Sequence, residues 1–141
     1  MRELTIGIDI GGTNTKYGLV DRVGNVVSQG SISTTQYEEF KDYFHGLADA
    51  LRKEINAIPG ENKIIGVGVG AANGNYYKGT IERATNLKWK GIIPLADMFQ
   101  EEFDLPAIVT NDANAAAVGE MVYGSAKGMK DFIMITLGTG V

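Results

Sequence analysis

Residues Thr5-Ile6-Gly7-Ile8-Asp9-Ile10 place an apolar side chain at every second position, which predicts a strand with one buried face. Gly11-Gly12 interrupts the pattern, a strand-like run resumes over Lys16 to Val20, and Asp21-Arg22-Val23-Gly24-Asn25 marks a second turn before a third strand over Val26 to Ile32. Three strands joined by short turns are most simply an antiparallel meander. The period then changes. Thr35-Gln36-Tyr37-Glu38 has the pattern of a capping box, and Phe40, Phe44, Leu47, Ala48, Leu51, Ile55 and Ile58 recur at helical spacing as far as Pro59-Gly60. That spacing predicts a long amphipathic helix. Lys63 to Val69 reads as a strand, Pro94 to Phe103 as a short helix with Pro in its first turn, and Leu105 to Thr110 as another strand. Asp112 to Tyr123, rich in alanine and stopped by Gly124, reads as a helix, and Asp131 to Leu137 as a last strand halted at Gly138-Thr139-Gly140.

A meander followed by strands that alternate with helices predicts an α/β fold, a mixed five-stranded sheet with flanking helices. This is the element order of an RNase H-like or actin-like ATPase domain. On that reading residues 1–130 form an N-terminal actin-like ATPase lobe, and 131–141 the first strand and glycine turn of a second lobe cut short. The expectation is therefore a fragment of a two-lobed protein.

Composition narrows the function without choosing it. With 141 residues, 44% of them hydrophobic and 21% charged, the chain can bury a core. Thirteen basic against seventeen acidic residues give a net charge of −4, which offers no diffuse attraction for nucleic acid or anionic membranes. The absence of cysteine excludes disulfides and Cys-ligated zinc or iron–sulfur sites within these residues, and the single histidine, His45, reads as a surface or packing residue. No run of 18 apolar residues and no basic-then-apolar leader occurs, so a cytoplasmic protein is expected. The anomaly is nineteen glycines, about twice ordinary usage, without collagen periodicity.

Several of those glycines sit beside polar residues. In Asp9-Ile10-Gly11-Gly12-Thr13-Asn14-Thr15-Lys16 a strand carrying an acid meets a tight turn. Glycines let such a turn approach a phosphate closely and reach positive φ, leaving backbone N–H groups exposed to its oxygens. Asp9 would reach a phosphate-bound magnesium, and Thr13, Asn14 and Lys16 could donate to phosphates. A Gly-Gly hairpin alone is ordinary structure; the acid before it and Thr-Asn-x-Lys after it favour phosphate. The spacing fits neither a Walker A loop nor a Rossmann fingerprint. A second constellation, Asn111-Asp112-Ala113-Asn114, lies where a strand meets a helix. A carboxylate there is kept ionised by the helix N-terminus and could take a proton from a hydroxyl, although Asp and Asn at that place are also ordinary helix caps. The third, Gly66 to Asn75, turns from strand to polar loop, and Arg83-Ala84-Thr85-Asn86-Leu87-Lys88-Trp89 beyond it suits sugar hydroxyls and a surface loop equally.

In this order and spacing the three constellations resemble the N-terminal lobe of the ROK family of sugar kinases and repressors, nearest its glucokinase-like members, over Thr5 to Val141. The resemblance implies ATP-dependent phosphorylation of a hexose hydroxyl, with Asp112 as the general base and Gly74, Asn75, Thr85, Asn86, Asn111 and Asp112 at the sugar. It implies ATP with Mg2+ at Asp9, Gly11, Gly12, Thr13, Asn14 and Lys16, Asp9 being the metal-side carboxylate. Leu137-Gly138-Thr139-Gly140-Val141 is similar to the start of the second phosphate motif, adding Gly138, Thr139 and Gly140. Ala72-Asn73-Gly74 stands where the family's sugar loop usually reads Gly-x-Pro-Gly, and Thr85 stands where a proline often precedes Asn86. The family's His- and Cys-rich zinc motif lies beyond these residues, so a structural zinc is expected only further along. The resemblance also implies a homo-oligomer with sugar and ATP as partners. Two other classes stay open: a sugar-responsive regulator without its DNA-binding segment, for which the strand starting within five residues of Met1 leaves no room upstream, and an actin-like ATPase, which has no need of Asn111-Asp112 beside a sugar loop.

Overall fold

The computed structural model describes residues 2–75, 77–82 and 87–110. The expected meander is present. β1 (Arg2–Ile10), β2 (Asn14–Asp21) and β3 (Val26–Ser33) pair antiparallel in succession. β4 (Asn62–Ala71) then pairs parallel with β1, and β8 (Ala107–Thr110) parallel with β4, giving a mixed five-stranded sheet in the order β3-β2-β1-β4-β8.

Between β3 and β4 runs α1 (Phe40–Ala57), and before β8 runs α2 (Leu95–Phe103). Leu4, Ile6, Ile8 and Ile10 of β1 and Val67 and Val69 of β4 point to one face of the sheet, where they form one buried cluster with Tyr43, Phe44, Leu47 and Leu51 of α1 and Leu95 and Phe99 of α2. The rings of Phe44 and Phe99 meet edge to face at 5.0 Å, which locks the two helices together over that core.

α1 does not begin where the capping-box pattern places it. Its first residue is Phe40, its N-cap Glu39 makes no side-chain cap, and Thr35 instead bonds Ser33 at the end of β3. Pro94 likewise stands at the N-cap of α2, one residue ahead of the first turn. A second sheet escapes the sequence pattern altogether: β5 (Gly74–Asn75), β6 (Thr80–Glu82) and β7 (Ile92–Ile93) form a small antiparallel ribbon. The helix expected over residues 112–123 and the strand over 131–137 lie outside the described residues.

The β2–β3 turn is held by Asp21, whose carboxylate accepts from the backbone N–H of Val23 at 3.0 Å and of Asn25 at 2.9 Å. The Asn25 backbone bond, ahead of the other contacts, keeps this carboxyl below its ordinary range. A lowered folded-state value adds stability that is present above the ordinary carboxylate range and lost as pH falls through the folded value. Asp21→Asn is therefore expected to lower the melting temperature slightly at neutral pH and by progressively less as pH falls through the folded value and the carboxylate is protonated. Melting curves across that range check this, and an equal loss at both ends would contradict it.

Candidate functional site

β1, β4 and β8 are parallel, so their C-terminal ends lie on one edge of the sheet, the edge where open α/β sheets place ligands. The register sets Asp9, Gly70 and Thr110 side by side in one row across them. Asp9 stands on the face away from the helices and is exposed, directly across from Lys16 on β2. Asn111 and Asp112 follow Thr110 in sequence and lie outside the described residues.

The turn from β1 to β2 closes with the Gly11 N–H donating to Asn14 O at 3.0 Å. A Cβ on Gly11 would stand 2.8 Å from that same oxygen, so this position requires glycine. Neither Gly11 nor Gly12 has positive φ, so close approach rather than a left-handed backbone is the reason, a correction to the expectation from sequence. The far side of the turn is tied to the sheet by Thr34 N–H, which donates to Thr13 O at 2.9 Å. Thr13, Asn14 and Lys16 are all exposed. The turn thus presents donors to solvent from a backbone fixed at both sides, as a phosphate site needs.

Gly74 and Asn75, both expected at the sugar, open the small ribbon, and β5 and β6 each lie against β8. The Asn75 side chain is already oriented: its Nδ2 donates to Glu82 Oε2 at 2.9 Å and its Oδ1 accepts from Lys78 N–H at 3.1 Å. Thr80 Oγ1 also donates to Glu82 Oε2 at 2.9 Å. Glu82 was not among the residues singled out from sequence, since nothing in a lone acid before Arg83 marks it as the anchor of an amide seven positions earlier. Asn73, Gly74, Asn75, Tyr77 and Glu82 line a shallow, open depression here.

Trp89 resolves differently from the sugar-facing alternative. It is 9% exposed, belongs to the main core, and donates from Nε1 to Glu38 O at 3.0 Å. His45 is exposed on α1, as expected. Thr85, Asn86, Asn111, Asp112, Gly138, Thr139 and Gly140 lie outside the described residues. Among the described residues no three His, Asp or Glu side chains are gathered as a metal site, and no helix is long and apolar enough to cross a membrane.

The chain matches the ROK family over residues 5–141. It is 39% identical over 139 residues to the glucokinase of Streptomyces coelicolor, covering 98% of this chain and 42% of that protein. To the xylose repressor of Caldicellulosiruptor bescii it is 33% identical, over 96% of this chain and 34% of that one. Among solved structures, the ROK family glucokinase from Streptomyces griseus in complex with glucose and AMPPNP superposes with a TM-score of 0.60 at 35% identity, covering 89% of this chain and 38% of that chain. The ROK hexokinase from Thermus thermophilus gives 0.66 at 26% identity, over 89% and 40%. The chain therefore spans about two fifths of the length of such glucokinases. A shared fold and sequence over nearly every residue place the chain in the ROK family.

Proposed function

We propose that this chain is the N-terminal lobe of an ATP-dependent hexose kinase of the glucokinase type, residues 1–130 forming the lobe and 131–141 opening the second. The observation that carries the reading is the sheet edge itself, where the tight Gly11–Asn14 turn and Asp9 stand at the end of β1 and, two strands along, the ribbon bearing Gly74 and Asn75 lies against β8. The turn fits a nucleotide: its backbone is closed too tightly for any Cβ at Gly11, and its polar side chains face outward.

ATP supplies the γ-phosphoryl group, with Mg2+ offsetting the charge on its phosphates. Gly11, Gly12, Thr13, Asn14 and Lys16 would hold the phosphate oxygens, joined by Gly138, Thr139 and Gly140. Asp9 would supply a carboxylate toward Mg2+, which would offset the charge on the phosphates. Gly74, Asn75, Thr85, Asn86 and Asn111 would orient the sugar, Asn75 with its amide aimed in advance by Glu82. Asp112 takes the proton of the sugar hydroxyl as that oxygen bonds the γ-phosphorus and the bond to ADP breaks. A cytoplasmic homo-oligomer is part of the same reading.

Presenting the complete protein with ATP and, in turn, glucose, N-acetylglucosamine, N-acetylmannosamine, fructose and allose tests it. Transfer to at least one is expected, and transfer to none would overturn it. The likeness to a xylose repressor supports a second reading, a sugar-responsive regulator, in which sugar binds in that assay and no phosphate moves. Residues 1–141 alone are expected to bind sugar and nucleotide weakly and to show no turnover, because phosphoryl transfer draws on groups from both walls of a closing cleft. Steady product formation by the isolated 141-residue chain would contradict that division of labour.

A further inference from the structure

Behind the phosphate turn, three hydroxyls meet in the core. Thr15 Oγ1 lies 2.8 Å from Thr34 Oγ1 and 2.6 Å from the Tyr43 hydroxyl. Thr15 and Tyr43 are wholly buried and Thr34 is 3% exposed, so this is a dry junction. It joins three pieces of chain: Thr15 is the residue after the turn, Thr34 follows β3, and Tyr43 belongs to the first turn of α1. Thr34 also grips the turn directly, through its N–H to Thr13 O. One threonine thus fixes the turn by its backbone while its side chain bonds the residue at the turn's exit.

The same stretch also holds two residues from later in the chain: Lys88 Nζ donates to Thr35 O at 2.8 Å and Trp89 Nε1 donates to Glu38 O, while the Trp89 ring packs at 4.6 Å on Tyr43. Nothing in the proposed chemistry uses the three hydroxyls. A purely apolar junction would fill this space with less cost in desolvation, whereas paired hydroxyls fix direction as well as distance.

We propose that Thr15, Thr34 and Tyr43 form a positioning cluster that sets the Gly11–Asn14 turn against the β3–α1 connection and thereby governs affinity for nucleotide phosphates. The proposal rests on the kinase reading. The Tyr43 hydroxyl is kept protonated by burial, so the cluster holds its geometry across physiological pH.

Thr15→Val keeps the shape and removes the central hydroxyl. In the complete kinase it is expected to raise the KM for ATP about tenfold, the worth of one buried hydrogen bond, and to leave the KM for sugar within about twofold. Thr15→Ser restores the hydroxyl and should bring the KM for ATP back to within about threefold of wild type. Hydrogen exchange gives a readout independent of activity: the Gly11 and Thr34 amides, which close and tie the turn, should exchange about tenfold faster in Thr15→Val, while amides in the middle of β1 keep their rate. If Thr15→Val does not fold, Tyr43→Phe, which keeps the ring on Trp89, is read in the same two ways. Unchanged KM for ATP with unchanged exchange at Gly11 and Thr34 overturns the proposal, as does a rise in sugar KM equal to that for ATP. Should the wild-type protein phosphorylate no hexose, the kinase reading fails, and the exchange rates still decide whether the cluster holds the turn.

Discussion

On the kinase reading, Asp112→Asn is expected to leave the complete protein folded and able to bind sugar while its turnover falls by on the order of 10²–10⁴. The substitution separates two roles that the same residue could have. Asn caps a helix about as well as Asp, so a residue that only caps would pass the change with stability and activity near normal. A residue that accepts the proton of the sugar hydroxyl cannot pass it, because an amide oxygen is far too weak a base at neutral pH. The loss should therefore appear in kcat rather than in sugar affinity, and the melting temperature should barely move. Rates with ATP and the best sugar, calorimetry with the sugar alone, and a thermal melt decide the matter together. A stable variant that binds sugar and phosphorylates it at nearly the wild-type rate would remove Asp112 from the mechanism.

Much of the lobe is legible along the chain, and what is missed has local physical causes. The period-two run through Ile6, Ile8 and Ile10 gives β1 its buried face because that face packs on helices while the other carries Asp9 outward. Parallel pairing of β4 and β8 follows from the helices between successive strands. The start of α1 is misplaced by several residues because Thr35 and Glu38, which look like a capping pair, are drawn away to Ser33, to Lys88 and, through the Glu38 carbonyl, to Trp89. The contacts with Lys88 and Trp89 come from about fifty positions away, beyond the reach of local pattern. Strands of two or three residues, as in the ribbon, are too short to show any period. The tight turn after β1 could be read because its residues are consecutive, and the hydroxyl cluster could not, because its members are separated by 19 and 28 positions.

Gly11→Val tests the turn where its geometry is least forgiving. A Cβ there meets Asn14 O at 2.8 Å, and that neighbour is backbone, so it cannot rotate aside as a side chain would. Relief requires opening the bond from Gly11 N–H to Asn14 O, which moves Thr13 and strains its tie to Thr34. On the proposed reading the turn would then no longer hold its backbone and its Thr13, Asn14 and Lys16 side chains in place for a phosphate. Removing even one well-placed donor from such a site costs about 10²–10³ in rate, so kcat/KM for ATP should fall by at least that much. Thr13→Val, which deletes a hydroxyl and leaves the backbone turn intact, should cost about tenfold. On the proposed reading the sugar lies on the ribbon and β8 side of the sheet edge, so its binding should be within about twofold of wild type in both variants. The comparison is made by titrating ATP at saturating sugar and by measuring sugar affinity without nucleotide. If Gly11→Val were no worse than Thr13→Val, the backbone of the turn would not be what holds the phosphates, and the side chains of Thr13, Asn14 and Lys16 would carry that role instead.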